Sequence, residues 1–360
     1  MKYPYLSVSK DNLSSNIRII TSRCKSAGIK VTGVIKGCNG NPTISEMMMK
    51  NGCHSLGSSR IHHLKDLKTL GVDAEMWLLR IPMISEIEDL VTWCDVSLNS
   101  EMAVIEQISR ACVKAGKKHK VLLMVELGDL REGFWNLDEL VDAAARVEAL
   151  EGVELYGIGT NLGCYGSIRP TVEKMNELIG AAELVEAKIG RSLEIISGSA
   201  TSSLPMVFKD EMPERINHLR VGEGILLNKD LPVYHQFVIE GLKEDTMWVH
   251  AEIIELKDKP TYPIGEISVD AFGYKPVYED RGVRKRAILA LGRQDIADHM
   301  KLVPTEEGIE IIGASSDHLI LDITDAKRTL KIGDKVTFSF FYQVMLQAFL
   351  GRDIGVSFIE

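Results

Sequence analysis

Short apolar runs and longer amphipathic segments take turns along the first two thirds of the chain. The runs VTGVIK, HSLGSS, AEMWLLR, DVSLNS, HKVLLMVEL, ELYGIGTNL, LEIISGS and INHLRV are short and rich in branched and apolar residues, which is the pattern of buried strands. Between them TISEMMMKNG, SEIEDLVTWC, SEMAVIEQISRACVKAG, NLDELVDAAARVEALEG and TVEKMNELIGAAELVEAKIG repeat with helical period, several closing on Gly as helices do at their C-termini. A further helix is expected near Lys10 to Ser26. Eight strands each followed by a helix predict an α/β protein built on a (β/α)8 TIM-like barrel.

Beyond about residue 235 the texture changes. VHAEIIEL, RAILALG, GIEIIGASSDHLILDI and DKVTFSFF are short alternating runs separated by Gly, Pro and Asp, so an all-β C-terminal domain is expected. The segment KDLPVYHQFVIEGLKED lies between the two textures. The division expected is residues 1–234 for the barrel and 235–360 for the β-strand domain.

Composition narrows the function class. The 360 residues carry a net charge of −9 spread over mixed-sign helices, a poor match to nucleic acid or an anionic membrane surface. No stretch approaches the roughly 18 apolar residues of a membrane span, and the first residues lack a continuous apolar signal region. Six cysteines form no C-x-x-C pair, and nine histidines show no ligand spacing, so reduced thiols, a cytoplasmic location and no structural metal are expected. A small-molecule substrate is the default.

In a (β/α)8 barrel the active site gathers at the C-terminal ends of the strands. Those ends supply Lys36, Ser59 with Arg60, Arg80, Asn99 with Ser100, Arg131, Asn161, Ser197 with Ser199 and Thr201, and Arg220. The mouth is therefore cationic and rich in hydroxyls. SGSATSS and RVGEG follow strands seven and eight, where phosphate commonly binds in such barrels, so a phosphorylated ligand is expected there. Lys36 ends the first strand between Val34, Ile35 and Gly37; a desolvated lysine loses proton affinity, and its neutral amine can attack an aldehyde. Arg220 sits in apolar, Gly-rich HLRVGEGILL, which places a guanidinium that only donates hydrogen bonds inside the barrel.

Taken in order, the Lys36 segment, GSSRIHHLKDL, LLRIPMISEIEDL, VSLNSE, VELGDLREG, GIGTNLGCYG, SGSATSSLP, LRVGEGILL, DAFGYKPVYEDRGVRKRAILALGRQDI and GASSDHLILDIT resemble the fold-type III pyridoxal 5′-phosphate enzymes. This is the alanine racemase superfamily, and within it the resemblance is strongest to the ornithine racemase and alanine/ornithine racemase group. It implies a racemase interconverting L- and D-amino acids by two-base proton transfer at Cα, with ornithine or another basic amino acid as free substrate. It implies Lys36 as the Schiff-base lysine and Arg220 as the residue facing the pyridine nitrogen. Thr201, Gly222 and Glu223 take the phosphate positions, the last two through backbone N–H, and Asn161 and Ser199 lie among the cofactor contacts. Arg131 matches the arginine that supports the phenolic oxygen and the substrate carboxylate. Two departures stand out. Gly40 replaces a tyrosine that helps hold phosphate, and Asn161 replaces a histidine at the end of strand six.

The same resemblance implies a homodimer in which the partner's C-terminal domain supplies the second acid/base group. The family's tyrosine is absent from IGEISVDAFG. With Gly265 as anchor its place falls to Asp270, with Val269 the next register and Tyr274, Tyr165 and Cys164 as rivals. An exposed carboxylate with a pKa near 4 is a poor acid or base at neutral pH, so the role requires burial that raises it. Asp317 matches an aspartate near the mouth and, with Glu126 and Asp129, is a candidate to face a cationic side chain. Cys164 and Tyr165 are further substrate-side candidates. A decarboxylase of the same fold type is the main alternative, but its catalytic cysteine would lie in the C-terminal domain, and all six cysteines precede residue 165. A non-catalytic pyridoxal phosphate carrier would be a lone barrel, without a second domain.

Overall fold

The computed structural model describes residues 3–360. The chain forms two compact units, one of Leu13–Lys243 and one combining the residues up to Asn12 with Glu244–Glu360. The second unit is thus drawn from both ends of the chain rather than from residues 235–360 alone. Its N-terminal contribution is β1 (Tyr5–Ser9), a fully buried run.

The larger unit is a closed parallel barrel of β2 (Lys30–Val34), β3 (Ser55–Ser58), β4 (Glu75–Leu78), β5 (Val96–Asn99), β6 (His119–Met124), β7 (Val153–Thr160), β8 (Ile195–Gly198) and β9 (His218–Val221). These are the eight strands read from the sequence. The helices between them start and stop where local chemistry demands. Asn41, Asn136 and Thr171 accept hydrogen bonds from the first N–H groups of Pro42–Lys50, Leu137–Glu148 and Val172–Ile189, as side-chain caps do. Gly116 and Gly190 end two helices in the left-handed region, at φ of 62° and 75°, where a Cβ is penalised.

Trp77, Val96, Leu98, Leu122, Met124, Tyr156 and Ile195 form a buried apolar cluster. Polar side chains share the barrel with this cluster. Thr32 stands level with Ser55 on one neighbouring strand and Arg220 on the other, and Ser197 is level with His218. Strand period two puts His218 and Arg220 on one face of β9.

The second unit is an eight-stranded sheet. β10 (Met247–Pro260), β11 (Val283–Ala290), β12 (Leu302–Pro304), β13 (Glu310–Ala314), β14 (His318–Asp322) and β15 (Lys335–Phe340) run in the order β12-β15-β10-β11-β14-β13, all antiparallel. β1 pairs antiparallel with β10 and parallel with β16 (Gly355–Ile359). Two α-helices, Arg293–Ile296 and Tyr342–Leu350, accompany the sheet among the described residues. The β-rich second domain is therefore present, and β1 and β16 extend it beyond the runs legible in sequence. Residues 261–282 join β10 to β11 and carry Asp270.

Candidate active site

Lys36 opens a short 3-10 turn directly after β2, closed by Asn39 at φ 50°. Solvent reaches its side chain from the mouth while protein crowds it on the other sides, and this desolvation is the main reason its pKa lies below the ordinary 10.5. Nearby charges adjust the effect: Cys164 and Glu132 raise the pKa, whereas Arg131 and Arg220 lower it. The turn explains one departure from the family pattern. Gly40 has φ +65°, and a Cβ there would stand 2.8 Å from Cβ of His63. His63 bridges Ser58 and Asn39 at 2.8 Å each, so it already fills the space a side chain at position 40 would need.

Arg220 is 5% exposed. One terminal nitrogen donates to the Ser197 hydroxyl, and the other donates at 2.7 Å to the carbonyl of Thr160. Burial brings its pKa down from 12.5 to about 10, which leaves it charged at neutral pH. Beside it, Oγ1 of Thr160 and Nδ2 of Asn161 are buried polar atoms with no hydrogen-bond partner. Such atoms are costly to leave unpaired, and both belong to the end of β7, where Arg220 reaches the Thr160 carbonyl.

The loops after β8 and β9 meet. Oγ1 of Thr201 accepts the N–H of Gly224 at 3.1 Å, and a Cβ on Gly224 would come within 2.9 Å of the Thr201 methyl. The N–H groups of Gly222 and Glu223 donate to no acceptor among the described residues. Ser199, at φ 79°, uses its hydroxyl otherwise: it accepts from the N–H of Leu162 and donates to the same residue's carbonyl. Its side chain therefore fastens the β7 loop and leaves only backbone for a ligand. The Glu223 carboxylate accepts from the N–H groups of Lys229 and Asp230 through one oxygen, its other oxygen is buried without a partner, and burial raises its pKa to about 7.

Arg131 pairs through two nitrogens with Glu132 and donates through the third to Sγ of Cys164 at 2.8 Å. Glu132, adjacent in sequence and not singled out there, is the carboxylate whose charge reaches Lys36, Arg131 and Arg220 together. Sequence spacing gives no sign of this, because the pairing depends on the turn after β6. Glu126 and Asp129 do not wait for a substrate ammonium. Glu126 accepts the N–H groups of Gly128, Leu130 and Arg131. Asp129, fully buried, accepts those of Gly163, Cys164, Tyr165 and Ile168. The two carboxylates build the loops that carry Arg131, Cys164 and Tyr165. Arg80 is likewise spent, on Glu86 at 2.7 and 2.8 Å.

In the other unit, one oxygen of Asp270 accepts the N–H groups of Phe272 and Tyr274 at 2.9 Å, holding a turn, and its second oxygen has no partner among the described residues. Its neighbours Val269 and Phe272 are 61% and 42% exposed, so within one chain Asp270 lacks the apolar enclosure expected of it. Asp317 accepts from Gln294 and Ser316 at 2.6 Å each and stays exposed. Among the described residues no group of three or more His, Cys, Asp or Glu is placed to hold a metal ion, and no helix is long and apolar enough to cross a membrane.

Residues 8–229 match the alanine racemase N-terminal domain. Over 98% of both chains the sequence is 40% identical to ornithine racemase of Acetoanaerobium sticklandii. It is 38% identical to lysine racemase of Thermotoga maritima, over 97% of this chain and 96% of that one. Among solved structures, alanine racemase from Streptomyces lavendulae superposes with a TM-score of 0.77 at 14% identity, covering 99% of this chain and 97% of that one. D-threonine aldolase from Filomicrobium marinum gives 0.73 at 17% identity, covering 96% and 89%, so the architecture alone is shared across different reactions. Near-full-length identity and the matched barrel together establish that this chain belongs to the alanine racemase family of amino-acid racemases.

Proposed function

We propose that the chain holds pyridoxal 5′-phosphate on Lys36 and racemises a free basic amino acid, ornithine first and lysine second. The carrying observation is the mouth itself: a desolvated lysine, a buried arginine with N–H groups to spare, and the Gly222 and Glu223 N–H groups that have no acceptor among the described residues. The substrate class is supported by the names of the two relatives.

The residues present fit the cofactor. Thr201 and the unused N–H groups of Gly222 and Glu223 would hold its phosphate, with glycines admitting close approach. Arg220, able only to donate, would face the ring nitrogen and keep a proton off it. Asn161 and Arg131 would take remaining polar atoms. When bound, the cofactor supplies an electron sink that acidifies the bond between Cα and its hydrogen. Lys36, with its lowered pKa, removes or returns the proton on one face of Cα. A second group serves the opposite face, and we assign it to Asp270 of a partner subunit. Enclosure by that partner would provide the burial missing in the single chain. The exposed apolar residues of the β10–β11 connection, Ile264 and Val277 at 93% and 97%, support such a homodimer. Six free cysteines, five of them buried, support a reducing, cytoplasmic setting.

Chiral chromatography of L-ornithine, L-lysine, L-arginine, L-alanine and L-serine after incubation with the enzyme tests the reading. D-Ornithine and D-lysine are expected in excess over the rest. Faster turnover of alanine or serine would overturn the substrate assignment.

A further inference from the structure

Behind Arg220 runs a buried chain of hydrogen bonds whose direction can be derived. Arg220 donates to Oγ of Ser197; that oxygen is 2.8 Å from Nδ1 of His218; Nε2 of His218 is 2.7 Å from Oγ1 of Thr32; and Thr32 is 2.6 Å from Oγ of Ser55. All five side chains are buried, and they lie on the four consecutive barrel strands β8, β9, β2 and β3. A guanidinium has no acceptor, so Ser197 must receive from Arg220. The hydroxyl proton of Ser197 then has one acceptor in reach, Nδ1 of His218. The ring proton consequently sits on Nε2 and is donated to Thr32, whose own proton passes to Ser55.

We propose that His218 is a positioning residue: by accepting the Ser197 proton it aims that hydroxyl's lone pair at Arg220 and fixes the guanidinium for the group bound in the mouth. Gly159 makes room, since a Cβ there would stand 3.0 Å from Cβ of Ser197. Burial and the charge of Arg220 both hold the His218 pKa well below 6.5, so the ring stays neutral and Nδ1 stays open. Trp77 stacks on the imidazole at 4.5 Å and 13°, locking the ring plane. The functional half of this inference rests on the cofactor reading above, whereas the tautomer does not.

Two measurements separate those parts. Nitrogen-15 NMR of histidine-labelled protein, with the His218 signal assigned by its loss in a variant, is expected to show a neutral ring protonated at Nε2. A proton on Nδ1 would overturn the proposal whether or not pyridoxal phosphate binds. Titration of the cofactor-free protein with pyridoxal phosphate then compares variants. Ser197→Ala and His218→Phe each lose a bond that steadies a charged donor and should weaken binding about tenfold. His218→Asn can present its amide oxygen near the Nδ1 position and should stay within about threefold. Packing alone predicts the reverse order, because Phe keeps the stack on Trp77 and Asn does not. Near-native binding by His218→Phe, or equal loss in Phe and Asn variants, would overturn the positioning role. Wild-type protein that fails to bind pyridoxal phosphate would instead sink the cofactor reading and leave the tautomer to the NMR result.

Discussion

At the scale of single residues, the chemistry turns on how much water each group loses. Lys36 is reached by solvent yet crowded enough to lower its pKa, with Glu132 pulling it back up. In cofactor-free protein, acylation of Lys36 followed by mass spectrometry should therefore set in at lower pH than for the other lysines. Glu132→Gln removes a charge that favours the ammonium, so the onset should move lower still. An onset shared with surface lysines would count against a desolvated amine. Asp270 presents the opposite case, a carboxylate holding a turn and half open to water. If a partner subunit encloses it as the second base, Asp270→Asn should cost roughly 10²–10⁴-fold in racemisation. In deuterium oxide that variant should still exchange the α-proton of one enantiomer without inverting it. Racemisation at the native rate would pass the role to Tyr274, Tyr165 or Cys164.

Elements show what the strand-end residues cost to place. The turn after β6 and the loop after β7 are each organised around a carboxylate, Glu126 for one and Asp129 for the other, and Asp129 joins the two. Asp129→Asn puts an N–H donor among four N–H groups, and unfolding should show a loss of about 1–3 kcal/mol. Hydrogen exchange should quicken at Gly163 to Ile168 first, and unchanged protection there would refute the tie. The same loops mark the boundary of what sequence made readable. Lys36, Arg220 and Thr201 follow from counting eight strands and taking their ends. Glu126 and Asp129 look like free carboxylates near a mouth, and only the folded turns show their oxygens already occupied. Glu132, Ser197 and His218 acquire their roles from neighbours on other strands. β1 escaped for a related reason: YLSVS has no local partner, and both of its strands lie at the far end of the chain.

For the whole molecule, buried histidines set the acid limit. His63, His119 and His250 each have a pKa lowered by burial from 6.5 to about 4. Above pH 6.5 neither folded nor unfolded chain protonates them. Between pH 6.5 and about 4 the unfolded chain binds protons that the folded one refuses, so stability falls as pH falls through that window and levels below it. Denaturant titrations across this range should show the fall, and a flat profile would mean these rings protonate in place. Assembly has its own check. Mixing Lys36→Ala with Asp270→Ala subunits should restore activity at one site of a twofold dimer, and no recovery on verified exchange would place both groups in one chain or exclude Asp270.

The route by which the second unit is completed follows from β1. Ser7 and its hydrogen-bonding partner His250 are 243 residues apart, and the parallel neighbour of β1, β16, comes later still. During synthesis β1 emerges before the barrel strands and must wait for its partners β10 and β16 while the barrel is made. All eight strands of the barrel precede β10 in the chain, so the barrel can close before the sheet has its partners. A nascent chain arrested before β10 thus carries an orphan strand whose apolar side chains and backbone groups invite foreign pairing. Chaperone dependence of this protein should accordingly map to β1 rather than to the longer and more elaborate barrel.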